Sequence, residues 1–356
     1  MCNFSNQFST FLHGIVLKLC YITIGTAKNK EKMSILKVKN LSVEFLSGRE
    51  YLRAVSDVSL DIREGRITAL VGESGCGKSA SCLSLAKLLP SPQARVSADE
   101  VRFTLRSGET VDIFKLPPRQ LRKLRGKEIA YIFQEPQASL NPVFRIGDQI
   151  AEVLQLCCPE VSDRRKRVIE LLEAVGIPAP EQRISAYPHE LSGGMQQRVM
   201  IAMALAGNPR LLIADEPTTA LDVTIQAQIL ELIDRLRKER NMAVILVTHN
   251  LGIVSQLADD VAVMYAGNIV EYAPAEKLFS SPGHPYTRAL LRAVPRPGGT
   301  ERLETIPGKV PAIADFPAGC RFAGRCSCSR ESCISTFPEL VRIDDGHFCR
   351  CPWSKK

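Results

Sequence analysis

The sequence predicts an α/β fold: a mixed sheet with a helical subdomain inserted into it and a small cysteine-rich extension at the C-terminus. Three observations carry this expectation. The apolar run Ile67-Thr68-Ala69-Leu70-Val71 leads into the glycine-rich Gly72-Glu73-Ser74-Gly75-Cys76-Gly77-Lys78-Ser79 and then into Ser81-Cys82-Leu83-Ser84-Leu85-Ala86, a strand, loop and helix in succession. A second apolar run, Leu211-Leu212-Ile213-Ala214, ends in Asp215-Glu216, as a buried parallel strand does when it delivers polar side chains at its C-terminal edge. Between the two stands Leu191-Ser192-Gly193-Gly194-Met195-Gln196-Gln197-Arg198.

In chain order, residues 1–33 read as an extension, disordered or a mis-called start, with a peripheral membrane anchor as the alternative. The apolar stretch at residues 11–27 is interrupted by His13 and Lys18 and is too short to span a bilayer. No positively charged region precedes it, so it does not read as a signal peptide. Met33-Ser34-Ile35-Leu36-Lys37-Val38 looks like a natural beginning for the first strand.

In the loop at residues 72–79 the glycines let backbone N–H groups turn inward around phosphate oxygens, and the following helix N-terminus adds a favourable dipole. Lys78 is placed to reach the β- and γ-phosphates and Ser79 to ligate Mg²⁺, while at Cys76 the backbone amide supplies the contact. A thiol at that position suggests sensitivity to oxidation. A glycine-rich turn without this role would have no use for the final Lys-Ser pair.

The run Ile129-Ala130-Tyr131-Ile132-Phe133 is closed by Gln134, and Ala243-Val244-Ile245-Leu246-Val247-Thr248 by His249. Alone, each is an ordinary strand-end polar residue; in this order, Gln134 suits Mg²⁺ or the lytic water and His249 the γ-phosphate. Asp215 is placed to hold the magnesium shell and Glu216 to polarise the attacking water, since phosphoryl transfer asks a protein mainly for positioning and charge stabilisation. Apolar residues at helical spacing, Ile150, Val153 and Leu154, then Val168, Leu171, Leu172 and Val175, mark residues 146–183 as helices inserted into the α/β core. The run Asp163-Arg164-Arg165-Lys166-Arg167 reads as a solvated helix start. Ser192-Gly193-Gly194, before a helix expected at residues 196–206, offers N–H groups to an anion; alone it would read as a plain N-cap.

The motif order resembles the Walker A, Q-loop, signature, Walker B, D-loop (Ala220-Leu221-Asp222) and H-loop of the ATP-binding-cassette (ABC) ATPases, over about residues 35 to 280. The resemblance implies a P-loop NTPase core at residues 34–280, with the helical subdomain at about 135–205. It also implies a head-to-tail dimer in which Ser192, Gly193, Gly194 and Asp222 serve the ATP held by a partner's Walker A. The family stacks an aromatic residue on adenine; register points to Phe45, with Tyr51 as a substitute. The Gln134 loop is implied as a hinge beside a groove for a short helix of a membrane partner.

Half of the twelve cysteines lie in the last 37 residues. In a reducing compartment clustered thiols more often bind metal than form disulfides. Cys320, Cys326, Cys333 and Cys349, with Cys328 and Cys351 extra, lack the paired spacing of structural zinc sites, so zinc, an iron–sulfur cluster or unligated thiols all remain open. The stretch Gly319-Cys320-Arg321-Phe322-Ala323-Gly324-Arg325-Cys326, with Cys333 and Gly346-His347-Phe348-Cys349, resembles the extension, here residues 281–356, of ATP-binding subunits from dipeptide and oligopeptide importers. That resemblance implies a [4Fe-4S] cluster on Cys320, Cys326, Cys333 and Cys349. Gln134-Glu135-Pro136-Gln137-Ala138-Ser139-Leu140-Asn141-Pro142 and Tyr187-Pro188-His189-Glu190 are similar to the same peptide and nickel importer group.

Composition, 45% hydrophobic and 24% charged, is ordinary for a globular protein. The net charge of +8 resides at the ends: residues 34–279 carry 30 Lys+Arg and 30 Asp+Glu. A neutral core argues against a nucleic-acid-binding ATPase. The expectation is therefore an ATPase using ATP and Mg²⁺, peripheral on the cytoplasmic side of the cell inner membrane. It pairs with a homologous ABC ATPase, drives two membrane permeases served by a solute-binding protein, and energises uptake of di- or oligopeptides. The alternatives are a nickel or glutathione importer of the same family, or a soluble ABC ATPase of DNA maintenance or the ribosome. The neutral core, single cassette and lack of a long coiled coil count against the latter.

Overall fold

The computed structural model describes residues 33–219, 221–294 and 305–354. The expectations for the N-terminal extension and for Ala220 lie outside the described residues. The chain opens with two long antiparallel strands, β1 (Ser34–Ser47) and β2 (Glu50–Arg63), around a turn where Gly48 takes φ +63°. Next come β3 (Ile67–Val71) and, beyond the glycine loop, helix α1 (Lys78–Leu85). Strands β4 (Ala94–Ser97), β5 (Glu100–Thr104) and β6 (Thr110–Asp112) complete an antiparallel sheet of order β2-β1-β5-β6, with β4 also paired to β1. Nothing in the chemistry-bearing motifs announced β4 to β6, which are short and half-exposed, and β4 and β5 reach back to pair with the distant β1.

After α2 (Pro118–Leu124) and β7 (Ile129–Ile132) the chain enters a helical stretch. It comprises α3 (Pro136–Ser139), α4 (Ile146–Cys157), α5 (Arg164–Ala174), α6 (Pro180–Arg183) and α7 (Gly193–Ala206). Asp163 caps α5, its carboxylate accepting the Lys166 N–H at 2.9 Å, so the basic run after it is a capped, exposed helix start. Ile146, Ile150 and Leu154 of α4, Val168, Leu171 and Leu172 of α5 and Val199 to Ala202 of α7 are buried together. The helical apolar spacing is thus the packing face of this subdomain.

The core resumes with β8 (Leu211–Asp215), α8 (Val223–Arg240), β9 (Ala243–Thr248), α9 (Leu251–Leu257), β10 (Asp260–Tyr265) and β11 (Asn268–Pro274). Strands β3, β8, β9 and β10 are buried along their whole length, as near-continuous apolar strands covered on both faces must be. They run parallel with β7, in the order β7-β8-β9-β3-β10, so their carboxyl ends lie on one edge. Beyond β11 lie α10 (Ala275–Ser280), α11 (Pro285–Arg292) and α12 (Glu331–Ser335). The hairpin β12 (Val341–Asp344) and β13 (His347–Cys349) turns at Gly346, φ +65°. It adds to the main sheet through β11, pairing Phe348 with Tyr272 and Cys349 with Glu271. The cysteine-bearing extension therefore continues the main sheet. Phe322 and Tyr286 share a buried cluster with Val263 and Tyr265 of β10.

Candidate functional site

Four elements deliver polar side chains to the carboxyl edge of the parallel strands, where α/β sheets bind ligands. After β3 the chain folds into a loop whose Gly75 and Gly77 take φ +77° and +102°. Gly72 is required by packing: a Cβ there would meet the Met264 carbonyl oxygen of β10 at 2.1 Å. Lys78, buried at 5% exposure, donates to the Gly72 carbonyl at 2.8 Å and the Glu73 carbonyl at 3.0 Å. These are neutral acceptors for a buried cation, and a phosphate is the stronger one. Ser79 Oγ donates to Asp215 Oδ1 at 3.0 Å, so two hard oxygens stand together at the loop's end, a fit for Mg²⁺.

Asp215 is held on its other oxygen by Tyr131 Oη at 2.7 Å. Burial pushes its carboxyl above the usual carboxylate range, and the Tyr131 and Ser79 hydroxyls oppose that rise by stabilising the charge. Burial also drives the Tyr131 phenol far up, so it stays a donor. Glu216 follows β8 with φ +45°, left-handed backbone that a non-glycine residue adopts at a cost. Its carboxylate accepts from Gln134 Nε2 at 3.1 Å and Thr219 Oγ1 at 2.9 Å, and His249 Nδ1 lies 3.4 Å away.

A cavity of about 600 Å³ joins these groups. Phe45, Ser74, Gly75, Gly77, Lys78, Ser79, Gln134, Glu216 and His249 all line it, together with Ile313 of the extension. Tyr51 is engaged elsewhere, donating to the Pro92 carbonyl at 2.8 Å with Arg95 over its ring, which leaves Phe45 as the aromatic of the cavity. Cys76 is 1% exposed and burial raises its thiol, so it is shielded from oxidants and not activated. This burial opposes the oxidation sensitivity that a thiol at this place in the loop suggests.

In the extension, Cys320, Cys326, Cys328, Cys333 and Cys351 line a second cavity of about 370 Å³. Burial raises the thiols of Cys320, Cys326 (to about 11) and Cys351. Cys349 is not among the lining residues; it is fully buried at the end of β13, its sulfur against Gly283 and its thiol pushed up by burial and by Glu271. Of the four cysteines that the resemblance implies as ligands, Cys320, Cys326 and Cys333 line this cavity together with Cys328 and Cys351, and Cys349 lies outside its lining. Among the described residues no three His, Cys, Asp or Glu side chains converge on a point that could hold a single metal ion.

Two family models match the chain: one described as ABC transporter, over residues 55–219, and one described as Oligopeptide/dipeptide transporter, C-terminal region, over residues 270–333. A putative peptide import ATP-binding protein of Brucella ovis is 48% identical over 330 residues, 90% of this chain and 97% of that protein. The chain belongs to the ABC transporter ATPases, in their oligopeptide/dipeptide branch. A protein of the same description from Brucella abortus is 48% identical over 320 residues, 89% of this chain and 94% of its own. Among solved structures, the dimeric post-hydrolysis state of the ATP-binding cassette MJ0796 bound to ADP and Pi superposes with TM-score 0.58 at 28% identity, covering 68% of this chain and 99% of that one. The cbiO1 protein of Clostridium perfringens, part of the ABC transporter complex cbiONQ, gives TM-score 0.56 at 28% identity, covering 69% and 91%. ABC ATPases of importers hydrolyse ATP to drive transport and associate peripherally with membrane permeases. No helix among the described residues is long and apolar enough to cross a membrane.

In this ABC ATPase the signature residues lie outside their own chain's nucleotide cavity. Ser192 caps α7, accepting the Met195 N–H at 3.4 Å, and α7 begins three residues earlier than expected because Gly193 and Gly194 are its first turn. Asp222 caps α8 the same way, at 2.9 Å from the Ile225 N–H. A Cβ on Gly193 would meet nothing nearer than Leu221 at 3.8 Å, so packing within the chain does not demand a glycine there.

Sequence reasoning missed Tyr131, Thr219 and Ile313. Tyr131 sits inside an apolar strand run where an aromatic reads as packing, and Ile313 comes from about 180 residues beyond Gln134 with no motif around it.

Proposed function

We propose that this chain is the ATP-hydrolysing subunit of an importer for di- or oligopeptides, working head to tail with a homologous ABC ATPase on the cytoplasmic face of the inner membrane. A solute-binding protein and two permeases complete the assembly. The observation that carries the reading is the carboxylate of Glu216, gripped by Gln134, Thr219 and His249 at the edge of a cavity floored by the phosphate loop. Loop N–H groups and Lys78 bind and orient the phosphates. Ser79 and Asp215 would hold Mg²⁺, which supplies neutralisation of phosphate charge when bound. Glu216 accepts the proton of the attacking water, with Gln134 and His249 fixing its direction. Ser192, Gly193, Gly194 and Asp222 are assigned to the partner's ATP, supported by the Gly193 and Gly194 N–H groups, which open α7 ahead of any intrahelical acceptor, and by the unconstrained glycine at 193. The dimeric cassette among the similar structures and the printed names of the relatives support the dimer and the peptide substrate.

Glu216→Gln is expected to retain ATP and to lose turnover by at least about a hundredfold, the scale of general-base catalysis. Phosphate release and nucleotide retention measure it, and normal hydrolysis would remove the general-base role.

For the cysteine cavity we propose a [4Fe-4S] cluster on Cys320, Cys326, Cys333 and Cys351. What supports the reading is that these four thiols line one cavity, and thiolates are the ligands such a cluster takes. Such a cluster supplies charge and a redox centre when bound; the chain supplies thiols that must lose protons to hold it. Anaerobically purified protein is expected to show broad visible absorption that Cys351→Ser abolishes and Cys349→Ser leaves in place. The opposite pattern would restore Cys349, and a colourless zinc protein would refute the cluster.

A further inference from the structure

We propose that Arg325 of the C-terminal extension is a positioning residue for ATP binding, acting through Glu73, the second residue of the phosphate loop. The proposal rests on the reading of residues 72–79 as the nucleotide site. Glu73 is held at every polar group it owns. Its N–H donates to Tyr286 Oη of α11 at 3.0 Å, and its carbonyl accepts from Lys78 Nζ at 3.0 Å and the Cys76 N–H at 3.3 Å. Its two carboxylate oxygens accept from Arg325 Nη1 at 3.1 and 3.0 Å. Two of the three holds therefore come from beyond β11.

Arg325 is itself immobilised. Its side chain is 9% exposed, Nε donates to the Pro307 carbonyl at 2.8 Å, and Nη1 also reaches Tyr265 Oη at 3.3 Å. A guanidinium fixed on several sides can impose its geometry on a carboxylate, which a flexible surface pair cannot. Glu73 does not line the nucleotide cavity, whereas Ser74, Gly75 and Gly77 beside it do. Arg325 thus does two things for a polyanion. It holds the loop with its N–H groups already turned inward, so that less ordering cost falls on binding. It also neutralises and anchors a carboxylate that would otherwise repel the phosphates from within their own cradle.

This predicts a defect in affinity, because the hold exists before ATP arrives and touches no reacting atom. In the full-length chain, Arg325→Gln is expected to raise the Kd for ATP, measured calorimetrically, about tenfold; in the assembled transporter KM rises by a similar factor while kcat stays within about twofold. Arg325→Lys, which keeps the charge, is expected to recover most of the loss. The deciding measurement is the double variant. If Arg325 acts through Glu73, Arg325→Gln adds less than about twofold in a Glu73→Gln background. An equal factor in both backgrounds, or unchanged affinity with only a lowered melting temperature, overturns the proposal. Should Arg325→Gln fail to fold, Tyr286→Phe removes the acceptor of the Glu73 N–H while keeping the ring. A KM raised about threefold supports the extension's hold on the loop, and an unchanged KM overturns it. Lys78→Ala separates the two levels: intact ATP binding in that variant defeats the nucleotide-site reading, whereas lost binding there with no effect of Arg325→Gln defeats only the role of Arg325.

Discussion

Asp215 and Glu216 are neighbours in sequence with opposite circumstances, and the difference is set by one backbone angle. Asp215 ends β8 in extended conformation, buried, with Tyr131 and Ser79 feeding its two oxygens. Glu216 turns into the left-handed region and carries its carboxylate to a different set of partners. Such backbone costs about 1–3 kcal/mol and persists where surrounding bonds fix it, here the Glu216 N–H on the Val247 carbonyl at 3.0 Å. Removing the phenol in Tyr131→Phe takes away a bond that lowers the Asp215 pKa, so the carboxylate needed for Mg²⁺ forms only at higher pH. The acid limb of the kcat/KM profile is expected to move to higher pH, and half-maximal turnover to require several-fold more Mg²⁺. An unchanged profile would show the phenol to be packing alone. At this scale placement was legible in the sequence: Gln134, Asp215 and His249 do stand at strand ends and Lys78 at the end of the glycine loop, on one edge of the sheet. Legibility fails where a common residue, Tyr131 or Ile313, gains its role only from what the fold brings beside it.

Helix α11 shows how an element can carry a pH dependence. Its cap is His284, 2% exposed, whose Nδ1 accepts the Tyr286 N–H at 3.1 Å, while Glu271 accepts the backbone N–H groups of Gly283 and His284. Burial, with Arg288 and Arg350 nearby, lowers the imidazole to about 3. The folded pKa lies below the unfolded value of about 6.5, so the contribution is complete above pH 6.5 and is lost as acid protonates the unfolded chain. Between pH 6.5 and pH 5 the loss amounts to about 2 kcal/mol. Urea unfolding at pH 7 and pH 5 should show that loss in the wild type and less of it in His284→Asn, which keeps a cap acceptor. An equal acid loss in both would exclude His284 as its source. The helical stretch from α4 to α7 was legible because its apolar residues recur at helical spacing; strands β4 to β6 were not, because three to five residues leave too short a pattern and β4 and β5 pair with the distant β1.

At the scale of the whole molecule, the C-terminal extension that the sequence suggests after the core is built into the main sheet. The tail contributes two strands to the main sheet, Phe322 to its apolar packing and Ile313 to the nucleotide cavity. Arg321 adds a second tether, Nη2 donating to Ser56 Oγ at 2.9 Å and Nη1 to the Ala266 carbonyl. Neighbouring Gly267 donates its N–H to the Cys76 carbonyl of the phosphate loop at 2.9 Å. Such integration was not legible because it rests on arginine bonds and a three-residue strand, neither of which leaves a periodic signature. Deleting residues 340–356 would open the edge of β11, and an unpaired edge in a largely buried sheet invites association with other chains. The truncated protein is expected to aggregate and to lose ATP binding together, as size-exclusion chromatography with a nucleotide-binding assay would show; a monodisperse truncation with full affinity would make the hairpin dispensable.

Because β12 and β13 follow every nucleotide-binding motif along the chain, the order of synthesis matters. A ribosome that has already made every nucleotide-binding motif still holds the strand that closes the sheet. The nascent core therefore keeps the edge of β11 open until residues 341–349 emerge, and a chain cut before them is exposed to chaperones and proteases although each nucleotide-binding motif is intact.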